Sequence, residues 1–186
     1  AMVLSRHGDL DAARALLEPT LAAQRRVFGD THTDTLVSEN NLALLDLREG
    51  RLREAARGFE ALLARRREVD GDRHPETLVV ATNLGLTLAD LGQLDAAERL
   101  GREVLDGRRA LHGDDHPLVA MALGNVGTFL HRRGRTAEAA PLFREALAIL
   151  EEALPADAPQ VLQAKHNLAA CLDGPAEFDT AVAMLR

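Results

Sequence analysis

A period of 42 residues runs through the whole chain and limits its fold more than any other feature. The period is visible in the asparagines Asn41, Asn83, Asn125 and Asn167. It recurs in the glycines Gly8, Gly50, Gly92 and Gly134, and in the alanines Ala13, Ala55, Ala97, Ala139 and Ala181. A fixed period of this length is the signature of a repeat architecture, in which each repeat is one supersecondary unit. We therefore predict a repeat array.

Each period contains two predicted helices, as the one beginning at Gly50 shows. From Arg51 to about Val69, apolar residues recur at helical spacing. A loop follows, and Pro75 suits the first position of a second helix because its missing N–H costs nothing there. The second helix extends to Leu91, where Gly92 provides a left-handed cap. One helix pair cannot bury its apolar side alone, so the pairs are expected to stack into an all-α solenoid.

The composition supports helices and disfavours several classes of partner. Hydrophobic residues make up 46% of the chain and aromatic residues only 3%, so Leu and Ala must supply most of the core. The net charge of -7 disfavours nucleic acid as a partner. No apolar run is long enough for a membrane span. The single cysteine excludes an intrachain disulfide and fits a reducing, cytoplasmic location. Only one of the 22 basic residues is Lys and the rest are Arg, which suggests a GC-rich bacterial source.

No catalytic constellation, metal site or cofactor site is predicted. His112 and His116 have a spacing that binds zinc on a helix, but Gly113 and Pro117 place them in a turn. Histidine also recurs at positions 32 and 74, where it has no partner equivalent to His112, so we interpret it as a helix-entry residue. Cys171 lies among apolar residues of a helix and is predicted to be a buried, inert thiol.

The segment GDRHPETL at 71–78, the segment NLGLTLADLGQLDAAERL at 83–100 and their copies resemble the tetratricopeptide repeat of the kinesin-light-chain type. The departures are local. Thr33 and Ala158 each replace one residue of the His-Pro pair that the other repeats carry, and Gly101 replaces a large residue. The resemblance implies a right-handed superhelix of antiparallel helix pairs and, from the arrays it is similar to, an actinobacterial source. It implies one array over 1–186, divided into a helix remnant at 1–7, repeats at about 8–49, 50–91, 92–133 and 134–175, and a partial helix at 176–186. Such an array is expected to be part of a longer protein, with exposed ends that promote self-association.

The resemblance also implies a binding site, because in this family the second helix of each repeat lines the concave face and holds peptides. The residues predicted to bind a peptide or partner on this face are Asn41, Asn83, Asn125, Asn167, Met121, Arg48, Asp90, His131, Arg132 and His166. Asparagine is a mediocre residue for a helix interior, and its amide can donate to and accept from a peptide backbone. The alternative is that each asparagine bonds a neighbouring helix and keeps the stack in register.

Two functions therefore remain open from the sequence. The first is a protein-interaction scaffold that holds a peptide or partner segment in its groove. The second is a structural, self-assembly or regulatory sensor segment of a larger multidomain signalling protein. An enzyme is not expected, because no reactive groups converge.

Overall fold

The computed structural model of the chain describes residues 10–172, and all the regular structure in this range is helical. The helices are α1 (Leu10–Phe28), α2 (Thr33–Arg48), α3 (Leu52–Asp70), α4 (Pro75–Asp90), α5 (Leu94–His112), α6 (Pro117–Arg132), α7 (Thr136–Ala153) and α8 (Pro159–Ala169). We call α1, α3, α5 and α7 the first-type helices and α2, α4, α6 and α8 the second-type helices. The predicted helix pairs are thus confirmed throughout this range.

The chain forms two compact units, divided between Gln93 and Leu94. Unit 1 contains α1 to α4 and unit 2 contains α5 to α8. Within each unit, every helix packs against the next one along the chain. The predicted helix remnant at 1–7 and partial helix at 176–186 lie outside the described residues. None of the described helices has the length and apolar character needed to cross a membrane.

Histidine begins three of the four second-type helices. The Nδ1 atoms of His32, His74 and His116 accept hydrogen bonds from backbone N–H groups two residues later, at 3.2, 3.3 and 3.1 Å. Each bond satisfies a donor that has no partner inside the helix, which is the role of an N-cap. Ala158 holds the fourth place and makes no such bond. The interpretation of these histidines as helix-entry residues is confirmed.

The pair His112 and His116 forms part of this capping arrangement. The two imidazole rings stack with their centroids 4.4 Å apart. Phe28 stacks on His32 at the equivalent place, with centroids 4.7 Å apart. Among residues 10–172, no group of three or more His, Cys, Asp or Glu side chains could hold a metal ion.

Replacing His74 by alanine is expected to lower the free energy of unfolding by about 1 kcal/mol, because α4 loses its N-cap acceptor. Urea unfolding followed by circular dichroism would measure the change. His166→Ala is the matched control, because His166 is exposed and lies inside α8 rather than at its start. An equal effect of the two substitutions would contradict the capping role.

Small residues let the helices of unit 2 approach closely. A Cβ atom at Gly127 would lie 2.7 Å from Cε1 of Phe143, whose ring is buried. The unexpected Gly101 has the same explanation, since a Cβ there would lie 3.0 Å from Cε2 of Phe129 and 3.2 Å from Cγ2 of Val126. The departure at Gly101 therefore accommodates an aromatic ring of the following helix.

Candidate functional site

Each second-type helix exposes one stripe of residues that includes the repeated asparagine. Residues separated by four and seven positions lie on the same side of a helix. We call the side chains at these three positions the amide stripe of the helix. The stripes are Val37, Asn41 and Leu44 on α2; Val79, Asn83 and Leu86 on α4; Met121, Asn125 and Thr128 on α6; and Gln163 and Asn167 on α8, with Ala170 at its C-cap.

The stripes expose aliphatic side chains on helices whose other apolar residues are mostly buried. Val37 and Val79 are each 43% exposed, Leu86 is 40% exposed and Met121 is 48% exposed. These residues precede or follow an asparagine by about one helical turn. A stripe therefore offers apolar contact beside a polar group.

The four asparagines are half-buried, and the amides of three of them have no partner within the part of the chain that the structure describes. Among the described residues, the side chains of Asn41, Asn83 and Asn125 make no hydrogen bond to another residue. Asn167 differs, because its Oδ1 accepts a hydrogen bond of 2.8 Å from Nε2 of Gln163 in the same helix. Within residues 10–172, none of the four amides bonds a neighbouring helix, which is the contact that the alternative role in the stack requires.

On α4 and α6 the threonine hydroxyls beside the amides are already paired, whereas on α2 the buried Oδ1 of Asn40 has no hydrogen-bond partner among the described residues. The hydroxyl of Thr128 donates to the carbonyl oxygen of Gly124 at 2.8 Å, and that of Thr82 donates to the carbonyl oxygen of Leu78 at 2.7 Å. A Cβ atom at Gly124 would meet nothing within 4 Å, so the surface next to Asn125 is open. The amides of Asn41, Asn83 and Asn125 are therefore the side chains on the stripes with the most unused hydrogen-bonding capacity.

The charged residues predicted for the site lie at helix ends. Arg48, Asp90 and Arg132 are the last residues of α2, α4 and α6, and all three are exposed. Each already interacts with another group of the chain. His166 is exposed on α8, one residue before Asn167. Arg48, Asp90 and Arg132 lie seven residues after the repeated asparagines and continue the stripes to the helix ends, whereas His166 borders its stripe.

His131 is not brought together with the other predicted residues. It is half-buried, and its Nδ1 lies 3.3 Å from Oγ1 of Thr136 and 3.7 Å from Sγ of Cys171. Its position in the period is that of Ala89, which is 1% exposed, so this register faces the packing between helices. The period alone would have placed His131 toward the interior. Cys171 itself is buried, as predicted.

A further set of exposed apolar residues was not anticipated. Val27, Val69 and Leu111 hold equivalent places near the ends of α1, α3 and α5 and are 65%, 47% and 43% exposed. Their shared register was visible in the 42-residue period. Hydrophobic spacing did not single them out, because they continue the apolar pattern of their helices.

Comparison with solved structures finds the same fold. A crystal structure from Podosopora anserina, described as a kinesin light chain with nearly identical TPR-like repeats, is 23% identical, with a TM-score of 0.84 over 99% of this chain and 87% of that one. BtubC (BKLC) from P. vanneervenii is 23% identical, with a TM-score of 0.86 over 98% of this chain and 72% of that one. MamA is 15% identical, with a TM-score of 0.66 over 98% of this chain and 88% of that one. No curated protein sequence matches the chain.

At these identities the structures establish the fold, which is the predicted all-α helical repeat of the kinesin-light-chain type. The family assignment comes from the sequence. The tetratricopeptide repeat matches residues 1–68, 40–110, 81–152 and 118–186, which together span the whole chain. Repeats of this family generally mediate interactions between proteins. The chain belongs to the tetratricopeptide repeat family.

Proposed function

We propose that the chain is a protein-interaction scaffold whose amide stripes bind an extended peptide or partner segment. The observation that carries this proposal is the state of Asn41, Asn83 and Asn125, whose half-buried amides have no partner in the described chain. A primary amide provides two donors and an acceptor with two lone pairs. The backbone of an extended peptide has unpaired N–H and C=O groups of both kinds, so an amide can bind it whatever its sequence.

The two units differ in the side chains that surround their amides. In unit 1 the stripes carry Val37 and Leu44 on α2, and Val79 and Leu86 on α4. In unit 2 they carry Met121 and Thr128 on α6, the polar Gln163 on α8 and the small Ala170 at the C-cap of α8. Unit 1 is therefore expected to prefer ligand segments with aliphatic side chains, because burial of apolar surface supplies the larger share of the binding free energy there.

The test is a peptide-library selection against the wild-type protein and two variants, Asn41→Ala/Asn83→Ala in unit 1 and Asn125→Ala/Asn167→Ala in unit 2. Each lost amide removes hydrogen bonds worth about 1 kcal/mol, so a double variant should weaken binding about thirtyfold for peptides held by that unit. Peptides selected through unit 1 should be enriched in Val, Leu or Ile at alternating positions, because side chains on one side of an extended segment recur every second residue.

The control is the double variant Glu60→Ala/Arg144→Ala, which changes exposed residues of the first-type helices α3 and α7. It should select the same peptides as the wild type. Circular dichroism and urea unfolding should show both asparagine variants at least as stable as the wild type, because alanine is the better helix former. Loss of helicity in these variants, or equal selection by all proteins, would contradict a binding role for the amides.

A second candidate function is self-association or a regulatory role within a larger signalling protein, and the exposed row of Val27, Val69 and Leu111 favours it. Exposed apolar side chains at equivalent places in successive repeats are typical of contact surfaces. Light scattering over a range of protein concentrations would detect association, and Val27→Asp/Val69→Asp should abolish it. The predicted association through the array ends concerns residues outside the described range, and the cytoplasmic location stays a prediction.

A further inference from the structure

In unit 1 a cluster of charged residues joins α1 to the end of α2. Arg14 of α1 donates to Oδ1 of Asp46 at 2.6 Å and to Oε2 of Glu49 at 3.0 Å. Arg51 also bonds Asp46, through Nε at 3.1 Å. The side chains of Asp46 and Glu49 are each 13% exposed and that of Arg14 is 20% exposed. We call Arg14, Asp46, Glu49 and Arg51 the unit 1 cluster.

In unit 2 a second cluster joins α5 to the end of α6. Glu98 of α5 accepts hydrogen bonds from Arg133 and Arg135, the latter at 2.8 Å from its Nη1 to Oε2. The Glu98 side chain is 9% exposed, against 28% for Arg133 and 35% for Arg135. We call Glu98, Arg133 and Arg135 the unit 2 cluster.

The two clusters occupy equivalent places in the repeat, and the pair that joins the first-type helix to the following helix end has opposite polarity in them. The third shared position is arginine in both clusters, as Arg51 and Arg135. Two periods separate Arg14 from Glu98, and two periods separate Glu49 from Arg133. In unit 1 the first-type helix therefore carries the cation and the following helix end carries the anions. In unit 2 the first-type helix carries the anion and the cations follow.

A second position shows the same inversion independently. Arg25 of α1 donates to Oε1 of Glu39 of α2 at 2.7 Å, and Glu39 is 5% exposed. Three periods later, Glu151 of α7 pairs with Lys165 of α8 at 3.2 Å. Lys165 is the only lysine in the chain. Again the first-type helix of the pair carries the cation in unit 1, on α1, and the anion in unit 2, on α7, whereas α5 keeps an arginine, Arg109, at this register.

Repeat proteins with units of equal length have a specific hazard, since a helix of one repeat can take the place of its counterpart in another. If α1 of one molecule replaced α5 of a second copy, Arg14 would face Arg133 and Arg135. In the reverse exchange, Glu98 would face the carboxylates of Asp46 and Glu49, with Arg51 as the one remaining cation of the cluster. Exchange between α1 and α7 would bring Arg25 to Lys165. Like charges placed together in a partly buried site are strongly unfavourable.

We propose that the inverted clusters are a register device, which prevents equivalent helices from exchanging between two copies of this chain. Stability alone would be served by an ion pair of either polarity at each place, so it does not explain the inversion. The second repeat shows that no ion pair is needed for packing, because it carries Ala56, Leu91 and Gln93 at these three positions. The inversion adds an energetic penalty against pairing with the equivalent helix of another copy.

The test is the double variant Glu98→Arg/Arg133→Glu, which gives the unit 2 cluster the polarity of the unit 1 cluster. Each protein is unfolded in urea, refolded at high concentration and analysed by size-exclusion chromatography with light scattering. We expect the fraction of exchanged dimer to rise about tenfold over the wild type, the factor given by one favourable pair in place of a repulsive one. The converse variant, Arg14→Glu/Glu49→Arg, should behave in the same way, and it provides the test if the first does not fold.

Two further proteins distinguish the register device from simple loss of stability. The neutral variant Glu98→Ala/Arg133→Leu/Arg135→Gln carries the residues of the second repeat and should form fewer dimers than the double variant. Combining both inversions in one chain restores opposite polarity and should return the dimer fraction to the wild-type level. The proposal would be overturned if the combined variant had the same dimer fraction as the single inversions. It would also be overturned if no variant formed dimers.

Discussion

The Gly127→Leu variant is expected to lose about 3 kcal/mol of its free energy of unfolding, because the new side chain enters a site that the Phe143 ring already fills. Even a Cβ atom would lie at 2.7, 2.9 and 3.0 Å from three atoms of this ring. Phe143 is 2% exposed and cannot turn away into solvent. The better helix propensity of leucine offsets only about 1 kcal/mol of the cost.

Gly124→Leu is the matched control, since it makes the same change about one turn earlier in α6. A Cβ atom there meets nothing within 4 Å, so this variant should gain up to about 1 kcal/mol. Urea unfolding of both variants would give the two values. Phe143→Ala alone should cost about 4 kcal/mol, but with Gly127→Leu the two costs should not add, because the leucine fills the space of the lost ring. Equal stability of the two leucine variants would contradict the close packing.

The sequence predicted the helices well because their ends are set by local chemistry. Pro75 and Pro117 begin second-type helices, and Gly92 follows α4 with a φ of +78°, a conformation that glycine adopts readily. The sequence placed the histidines at the starts of the second-type helices, which is where a capping residue lies. The accepting atom, Nδ1, was not, because it depends on the ring orientation that the backbone and the stacked neighbours impose.

The candidate site was predictable to a smaller extent. The period placed Asn41, Asn83 and Asn125 on one side of their helices, and the structure shows that side to be half-buried. The period did not reveal that their amides lack a hydrogen-bond partner, because this depends on which side chains the adjacent helices place near them. His131 lies near Thr136 and Cys171 although the adjacent Arg132 is exposed, because a helix end exposes neighbouring residues to very different degrees. The ion clusters join residues that are 32 or more positions apart, and only their inverted polarity is visible in the sequence.

Glu98 provides the second large effect, since three arginines depend on its one carboxylate. Arg102 donates to Oε1 at 3.2 Å through Nε, and Arg133 and Arg135 also bond the carboxylate. Glu98→Gln should lower the free energy of unfolding at pH 7 by about 2 kcal/mol, because charge-assisted hydrogen bonds are replaced by weaker ones and the arginines lose their shared anion. Glu138→Gln is the control: its side chain is 55% exposed and pairs with Arg135 at the surface, so little change is expected.

The effect of Glu98→Gln should disappear at acidic pH. Burial raises the pKa of the Glu98 carboxyl, but the hydrogen bonds from Arg102 and Arg133 and the charge of Arg135 outweigh it, so the pKa lies below its ordinary value. The unfolded chain then binds the proton more readily than the folded one. The stabilisation by Glu98 is therefore complete above the unfolded-state pKa of about 4.3 and is lost as the pH falls through the folded-state pKa.

Unfolding curves of the wild type and Glu98→Gln should differ by a constant amount from pH 7 to about pH 5 and converge below about pH 4. A difference that persisted unchanged at the acidic end would show that glutamine disturbs the packing of α5 rather than the charge of the cluster.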